Sequence, residues 1–391
     1  MRLGVIVPLL SVVALTPAVG AEVTFSLPVH EAPADNAWDH YRTAFELLPR
    51  EGDLWYRVQR DPAEPSPEDV EALVAEAQPA LRRLREGLGK PCVVPREPFD
   101  PLTPPDFSAD ARARQMARLL RWEGWLHAHR GDYGAAFASQ LDALTLGQDV
   151  ARQPGLLGKL VSIACETIAC QAIRETVGEA SNDRPALASL VGRLQTIEAG
   201  EVPYWETLAH EYEAALAWIN WLRTPGSITR EEFREAYGTR AIGAACARAR
   251  REVDRFYSDA VAMAKRPEWE WTPGALAVPA DDTLAGQLAS PMLAADVVRR
   301  HLAGLRGTLL VAALEQYRAE HGRYPEQPAA LVPENITALP LDPWTGDPFL
   351  YATTGDSCRV YSVGPDRRDD GGADLSAPPA GEGDCVFSTR D

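Results

Sequence analysis

Five aspartates crowd the last part of the chain, Asp366, Asp369, Asp370, Asp374 and Asp384, interleaved with Gly364, Gly371 and Gly372. Carboxylates are hard oxygen donors. Calcium takes six to eight such oxygens at about 2.3–2.6 Å, and a glycine-rich loop can wrap side-chain and main-chain oxygens around it. Crowded without a cation, the same carboxylates repel one another and their pKa values rise. The plain alternative is a solvated acidic turn. Chemically the segment is therefore a candidate cation-binding loop.

Other candidates are weaker. Glu206, His210 and Glu213 fall on one helical face at steps of four and three, a set that can bind metal inside a helix bundle. No second set completes it, so an ordinary polar face is the better reading. His127 and His129 are two apart and point away from each other on a helix. Asp342-Pro343-Trp344 with Gly346-Asp347-Pro348 reads as a turn, where proline fixes φ and aspartate caps local amides. Trp269-Glu270-Trp271 is a candidate docking spot, set against core packing for the other tryptophans of the middle region. No GxSxG elbow, phosphate loop, GxGxxG or CxxC is present. A non-enzymatic chain is the expectation, with a hydrolase of scattered residues as an alternative.

The elements that must carry these residues divide the chain. Residues 1–21 read as an export signal: Arg2, then an apolar stretch from Leu3 to Leu15, then Val19-Gly20-Ala21 as a small-residue cleavage site. The same run could serve as an uncleaved anchor. Residues 22–265 read as a helical domain, a bundle or α-solenoid. Its best helical material spans 109–178, where Trp122, Leu126, Gly131-Asp132-Tyr133 and Phe137 resemble one unit of a tetratricopeptide repeat without a following recurrence. Residues 266–291, rich in proline and without a period, read as a linker. Residues 292–391 form the last domain. It opens with a helix of roughly 28 residues striped by Val298, Leu302, Leu305, Leu309, Ala313 and Tyr317, and Gly322 and Pro325 stop it. Phe349 to Tyr351, Arg359 to Ser362 and Val386-Phe387 are short strand candidates. The whole is expected to be mainly α, ending in a small α+β unit with a helix laid over an antiparallel sheet. Few contacts are expected between 22–265 and 292–391.

Composition bounds the partners. With 39 basic and 56 acidic residues the formal charge is −17, which argues against nucleic acid and anionic membrane surfaces. An exported chain can form disulfides. Cys358 and Cys385 each flank a strand candidate, and pairing them closes a loop of about 27 residues, worth roughly 3 kcal/mol. Cys165 and Cys170 sit on different faces of a helical run and read as buried small residues.

Three motifs carry a family resemblance: Leu-Glu-Gln-Tyr-Arg-Ala-Glu-His-Gly-Arg-Tyr-Pro (Leu314 to Pro325), Leu-Asp-Pro-Trp-Thr-Gly-Asp-Pro-Phe-Leu-Tyr (Leu341 to Tyr351) and Tyr-Ser-Val-Gly-Pro-Asp-Arg-Arg-Asp-Asp-Gly-Gly (Tyr361 to Gly372). In order and spacing they resemble the globular domain of the major (G-type) pseudopilins of type II secretion systems. The resemblance covers roughly the last quarter of the chain. It implies a pseudopilin-like, calcium-binding module and a periplasmic or cell-envelope setting. It also implies calcium ligands at Asp366, Asp369, Asp370 and Asp384, with the Ser362 carbonyl, and with Asp374 as the alternative to Asp384. The chain departs from the family at Arg367, which stands where a glycine is usual, and at Ala373 to Gly383, which reads as an insertion. Its long helix follows a helical domain instead of a processed N-terminus and carries Asp296, Arg299 and Arg300. The expected role is an exported scaffold with a protein partner in the envelope, type II secretion machinery being the candidate. An exported protein gripping a peptide or partner through its helical domain is the alternative.

Overall fold

The computed structural model describes residues 25, 27, 31–60, 65–95, 108–289, 294–354, 357–373 and 383–388. The export-signal segment and Asp374 lie outside them. The helices are α1 (Ala37–Glu46), α2 (Asp53–Arg60), α3 (Pro67–Arg85), α4 (Ser108–His129), α5 (Tyr133–Val150) and α6 (Leu156–Val177). They continue as α7 (Arg184–Ala199), α8 (Tyr204–Arg223), α9 (Arg230–Tyr237), α10 (Ile242–Ala264), α11 (Leu284–Leu288) and α12 (Ala295–His321). Strands β1 (Leu350–Thr354), β2 (Ser357–Ser362) and β3 (Cys385–Phe387) form one antiparallel sheet in the order β1-β2-β3. The chain is mainly α with a small C-terminal α+β part, the class its sequence pattern implies.

Local chemistry sets the helix ends. Ser66, Asp132 and Asp183 each accept a backbone N–H three residues on, at 3.3, 3.0 and 3.1 Å, and so start α3, α5 and α7. Thr229 and Glu232 form a reciprocal capping box at α9. Gly322, left-handed at φ 76°, ends α12. Among the described residues α6 is long and apolar enough to cross a bilayer, yet here it packs as a core helix against α4, α5 and α12.

Two apolar clusters make the interior. The larger joins α1 to α7 with the sheet, and α12 enters it through Ala303, Leu305 and Leu309 to Leu314. The smaller gathers α8, α10 and α11, and α12 enters that one through Ala295, Val298 and Leu302. Helix α12, about 40 Å long, therefore lies against α6 and α7 on one side and against β2 and β3 on the other. Polar contacts cross the same boundary: Arg174 to Thr308 at 2.6 Å, Arg306 to Glu198 at 2.9 Å, and the Thr337 amide to Gln195 at 2.9 Å. This corrects the expectation of few contacts between the helical region and the C-terminal part, because they share a core.

The proline-rich stretch between them is also tied down. Arg299 donates to the Glu268 carbonyl at 2.9 and 2.7 Å and to the Trp271 carbonyl. Trp271 is buried, and the Trp269 ring lies against Gly346. An exposed Trp-Glu-Trp docking spot is therefore corrected to a packed seam.

Within the larger cluster, Glu123 of α4 accepts a two-pronged contact from Arg85 of α3, together with Ser139 Oγ–H at 2.8 Å and Gln78 at 3.3 Å. Burial pushes the Glu123 carboxyl up, but the Arg85 guanidinium and these donors outweigh it and hold the group below its ordinary 4.5. A depressed folded-state value means a stabilising contribution that is complete above pH 4.5 and disappears as pH falls through the folded-state value. Glu123→Gln should cost about 2 kcal/mol at neutral pH and flatten the acid limb of a stability-against-pH curve. An unchanged acid limb in that variant would remove Glu123 from the account.

Candidate functional site

The acidic loop leaves β2 and returns at β3. Asp384 is fully buried, and its Oδ2 accepts the amides of Gly372 at 2.6 Å and Asp370 at 3.2 Å. Its Oδ1 is buried and makes no hydrogen bond. Burial pushes the Asp384 carboxyl up, and Asp369 and Asp370 add to that while the two amides oppose it. Asp366 accepts the Arg368 amide at 3.1 Å, and Asp369 accepts the Gly371 amide at 2.9 Å and the Tyr361 hydroxyl at 3.2 Å. Arg367 holds a left-handed conformation at φ 58°, which explains why glycine suits that position. The donor chemistry suits a hard cation, and the bare Asp384 Oδ1 points the same way. Yet among the described residues no three carboxylates of this loop bring oxygens within 4.8 Å of one another. Asp366, Asp369 and Asp384 serve the loop's own amides.

Asp342 pins the turn below it. Its two oxygens accept the amides of Trp344 at 2.8 Å and Val363 at 3.3 Å, and Asp347 supplies a carbonyl to the Asp342 amide. The turn joins the start of the acidic loop. Ser362 is buried at the end of β2, with its hydroxyl accepting the Gly364 amide at 3.2 Å.

The proposed Cys358–Cys385 bridge is corrected. Register places Cys385 opposite Ser362, so Cys358 lies four residues further along β2, roughly 13 Å away at strand spacing. A disulfide needs Cα atoms within about 7 Å, and the two buried cysteines are not bonded to each other. Burial pushes the Cys358 thiol up to about 12, which also disfavours thiolate chemistry there.

A different cluster does converge, and sequence spacing did not single it out. Glu166 of α6, Glu201 of the α7–α8 connection and His301 of α12 place ligand-capable atoms within 4.8 Å of one another. His301 Nε2 lies 3.3 Å from Glu166 Oε2 and 3.6 Å from Glu201 Oε2. Ser162 Oγ–H donates to Glu166 Oε1 at 2.7 Å. Lys159 donates to Glu201 Oε2 at 3.1 Å and to the Val202 carbonyl at 3.2 Å. Gly147 of α5 leaves the room: a Cβ there would stand 2.4 Å from Glu166 Cγ.

Electrostatics follow from this burial. Burial and the neighbouring Glu201 push the Glu166 carboxyl up, against the pull of His301. Burial would raise Glu201 as well, but Lys159 and His301 hold it well below the carboxylate range. Burial disfavours the imidazolium of His301, and the two carboxylates more than offset it and raise the group. The arrangement can hold a proton or a cation between three elements. By contrast, His210 lies 3.6 Å from Glu213 in an ion pair, and Glu206, His210 and Glu213 form no such group.

No protein-family model, curated protein or solved structure matches this chain.

Proposed function

We propose that this chain is an exported, non-enzymatic scaffold of the cell envelope, in which a helical platform displays a pseudopilin-like module to a protein partner, with type II secretion machinery the favoured one. One observation carries the reading. Helix α12 is covered by α6 and α7 on one side and by the sheet on the other. In the pseudopilins that this part resembles, the corresponding helix begins at the processed N-terminus as an apolar membrane stem. Here its surface is committed to its own chain, so the module is displayed instead of polymerised. The motifs from Leu314 to Gly372 and the signal-like residues 2–21 support the envelope setting.

Calcium belongs to the same proposal. Asp384, whose Oδ1 lacks a hydrogen bond, is the anchor, and the Ser362 carbonyl with Asp366, Asp369 and Asp370 completes the shell. Uptake asks Asp366 and Asp369 to exchange their amide contacts for the ion. The sheet's face beside the loop that carries exposed Ala352, Ser357 and Arg359 is the display surface.

The test is crosslinking capture of the tagged full-length chain from envelope extracts, with calcium and with chelator. Envelope proteins of a secretion apparatus should be recovered with calcium, and recovery should drop at least severalfold for an Ala352→Glu, Arg359→Glu variant. Equal recovery from variant and parent, or a chain confined to the cytosol, would refute the reading.

A further inference from the structure

The Glu166–Glu201–His301 cluster is built like a ligand set with its positions already fixed. Each carboxylate has one oxygen held by a donor: Glu166 Oε1 by Ser162, and Glu201 Oε2 by Lys159. Each has a second oxygen, Glu166 Oε2 and Glu201 Oε1, that is buried and makes no hydrogen bond. His301 Nε2, on a side chain 2 % exposed, makes none either. Two of these unmade valences, Glu166 Oε2 and His301 Nε2, face each other at 3.3 Å, and Glu201 joins them from a third element with Oε2, the oxygen Lys159 holds, 3.6 Å from His301 Nε2.

A proton does not satisfy them all. One N–H at His301 Nε2 can serve the Glu166 oxygen or a Glu201 oxygen, and the other carboxylate keeps a buried oxygen without a donor unless a second proton is taken up. A metal ion accepts all three at once. Bonds of about 2.0–2.1 Å from zinc to imidazole nitrogen and carboxylate oxygen set neighbouring corners of a tetrahedron roughly 3.3 Å apart. His301 Nε2 stands 3.3 and 3.6 Å from the two carboxylates. The outer partners also have the expected form, since ligating carboxylates are characteristically oriented by hydrogen bonds from a second layer of residues. Glu201 is partly exposed on the α7–α8 connection and gives the ion a way in.

We propose that Glu166, Glu201 and His301 bind one divalent transition-metal ion, zinc or a close analogue, which clasps α12 to the helical platform. The mixed nitrogen and oxygen set suits zinc, cobalt and manganese, while calcium prefers all-oxygen sites. The site is distinct from the acidic loop and does not rest on the reading of that loop.

Full-length protein, purified without chelator, is to be assayed for metal by mass spectrometry. It is then stripped and titrated with Co²⁺ while the visible d–d absorption is recorded. One equivalent of metal is expected, with four-coordinate cobalt bands that saturate at one equivalent. The melting temperature should rise by about 5 °C on loading. Glu166→Gln and His301→Asn should each lose the bands, while Asp366→Ala keeps them. A parent protein that carries no stoichiometric metal and gives no cobalt bands overturns the proposal and leaves a purely ionic clasp. Bands that survive both cluster variants and vanish in Asp366→Ala overturn it as well, because the metal then belongs to the acidic loop. The parent measurements decide the matter even if a cluster variant fails to fold.

Discussion

Trp344→Ala should cost the fold about 3–5 kcal/mol, the range for truncating a buried aromatic. Trp344 is 1 % exposed in the turn between the long helix and the sheet. The Arg299 guanidinium lies over its ring at 5.1 Å and over that of Trp271 at 5.6 Å. Arg299 is itself buried and, through its carbonyl contacts, holds the 266–276 stretch against α12. Burial lowers the affinity of Arg299 for its proton, and Asp296 and Glu268 counter that. Removing the indole opens a cavity and strips a cation of one of its two π-faces. The loss should appear as a melting temperature roughly 10 °C lower. Trp344→Phe should recover more than half of it by restoring an aromatic face. A loss below about 1 kcal/mol in Trp344→Ala would mean that the seam collapses without strain and that its packing is not decisive.

Two glycines on α12 should respond in opposite directions. A Cβ at Gly307 would stand 2.3 Å from Phe387 Cδ2 and 2.5 Å from its Cγ. That ring has nowhere to go: Arg174 lies over it at 5.6 Å, Phe349 meets it edge-on at 6.2 Å, and β3 is paired to β2. Gly307→Val should therefore force β3 off the helix at a cost of about 3 kcal/mol. At Gly304 nothing lies within 4 Å of an added Cβ. Gly304→Ala should gain up to about 1 kcal/mol from helix propensity alone. Urea melts of both variants check the pair. If both destabilise alike, the close approach of Phe387 is not what sets the sign.

Much of the architecture was legible because it is written locally. The stripe of α12, its stop at Gly322, the strand segments around Tyr351, Val360 and Phe387, and the cap at Asp132 each depend on a few neighbouring residues. What depended on distant partners was not legible. The 266–291 stretch has the prolines of a linker, but its carbonyls find Arg299, and no local pattern announces that. Cys358 and Cys385 both fall on strands of one sheet, but only register shows that they face different residues. The Glu166, Glu201 and His301 cluster draws on positions 35 and 100 residues apart, with no fixed spacing to betray it. One signal was there: Lys159 and Glu166 set charges in the apolar first half of α6, where an unpaired charge would be costly. The acidic loop was conspicuous for the opposite reason, being contiguous, yet Asp366 and Asp369 spend carboxylate oxygens on its own amides.

That α12 completes both apolar clusters has a consequence for biogenesis. Helix α7 ends at Ala199 and α12 ends at His321, so 122 residues separate the two along the chain. At about 5–20 residues per second, a ribosome needs roughly 6–24 s to cover that distance. Throughout that interval the earlier helices exist with an uncovered apolar trough where α12 will lie, and a chain stalled or truncated before His321 keeps it open. Such a nascent chain is a natural client for a holding chaperone, and its trough closes only when the last third of the protein arrives.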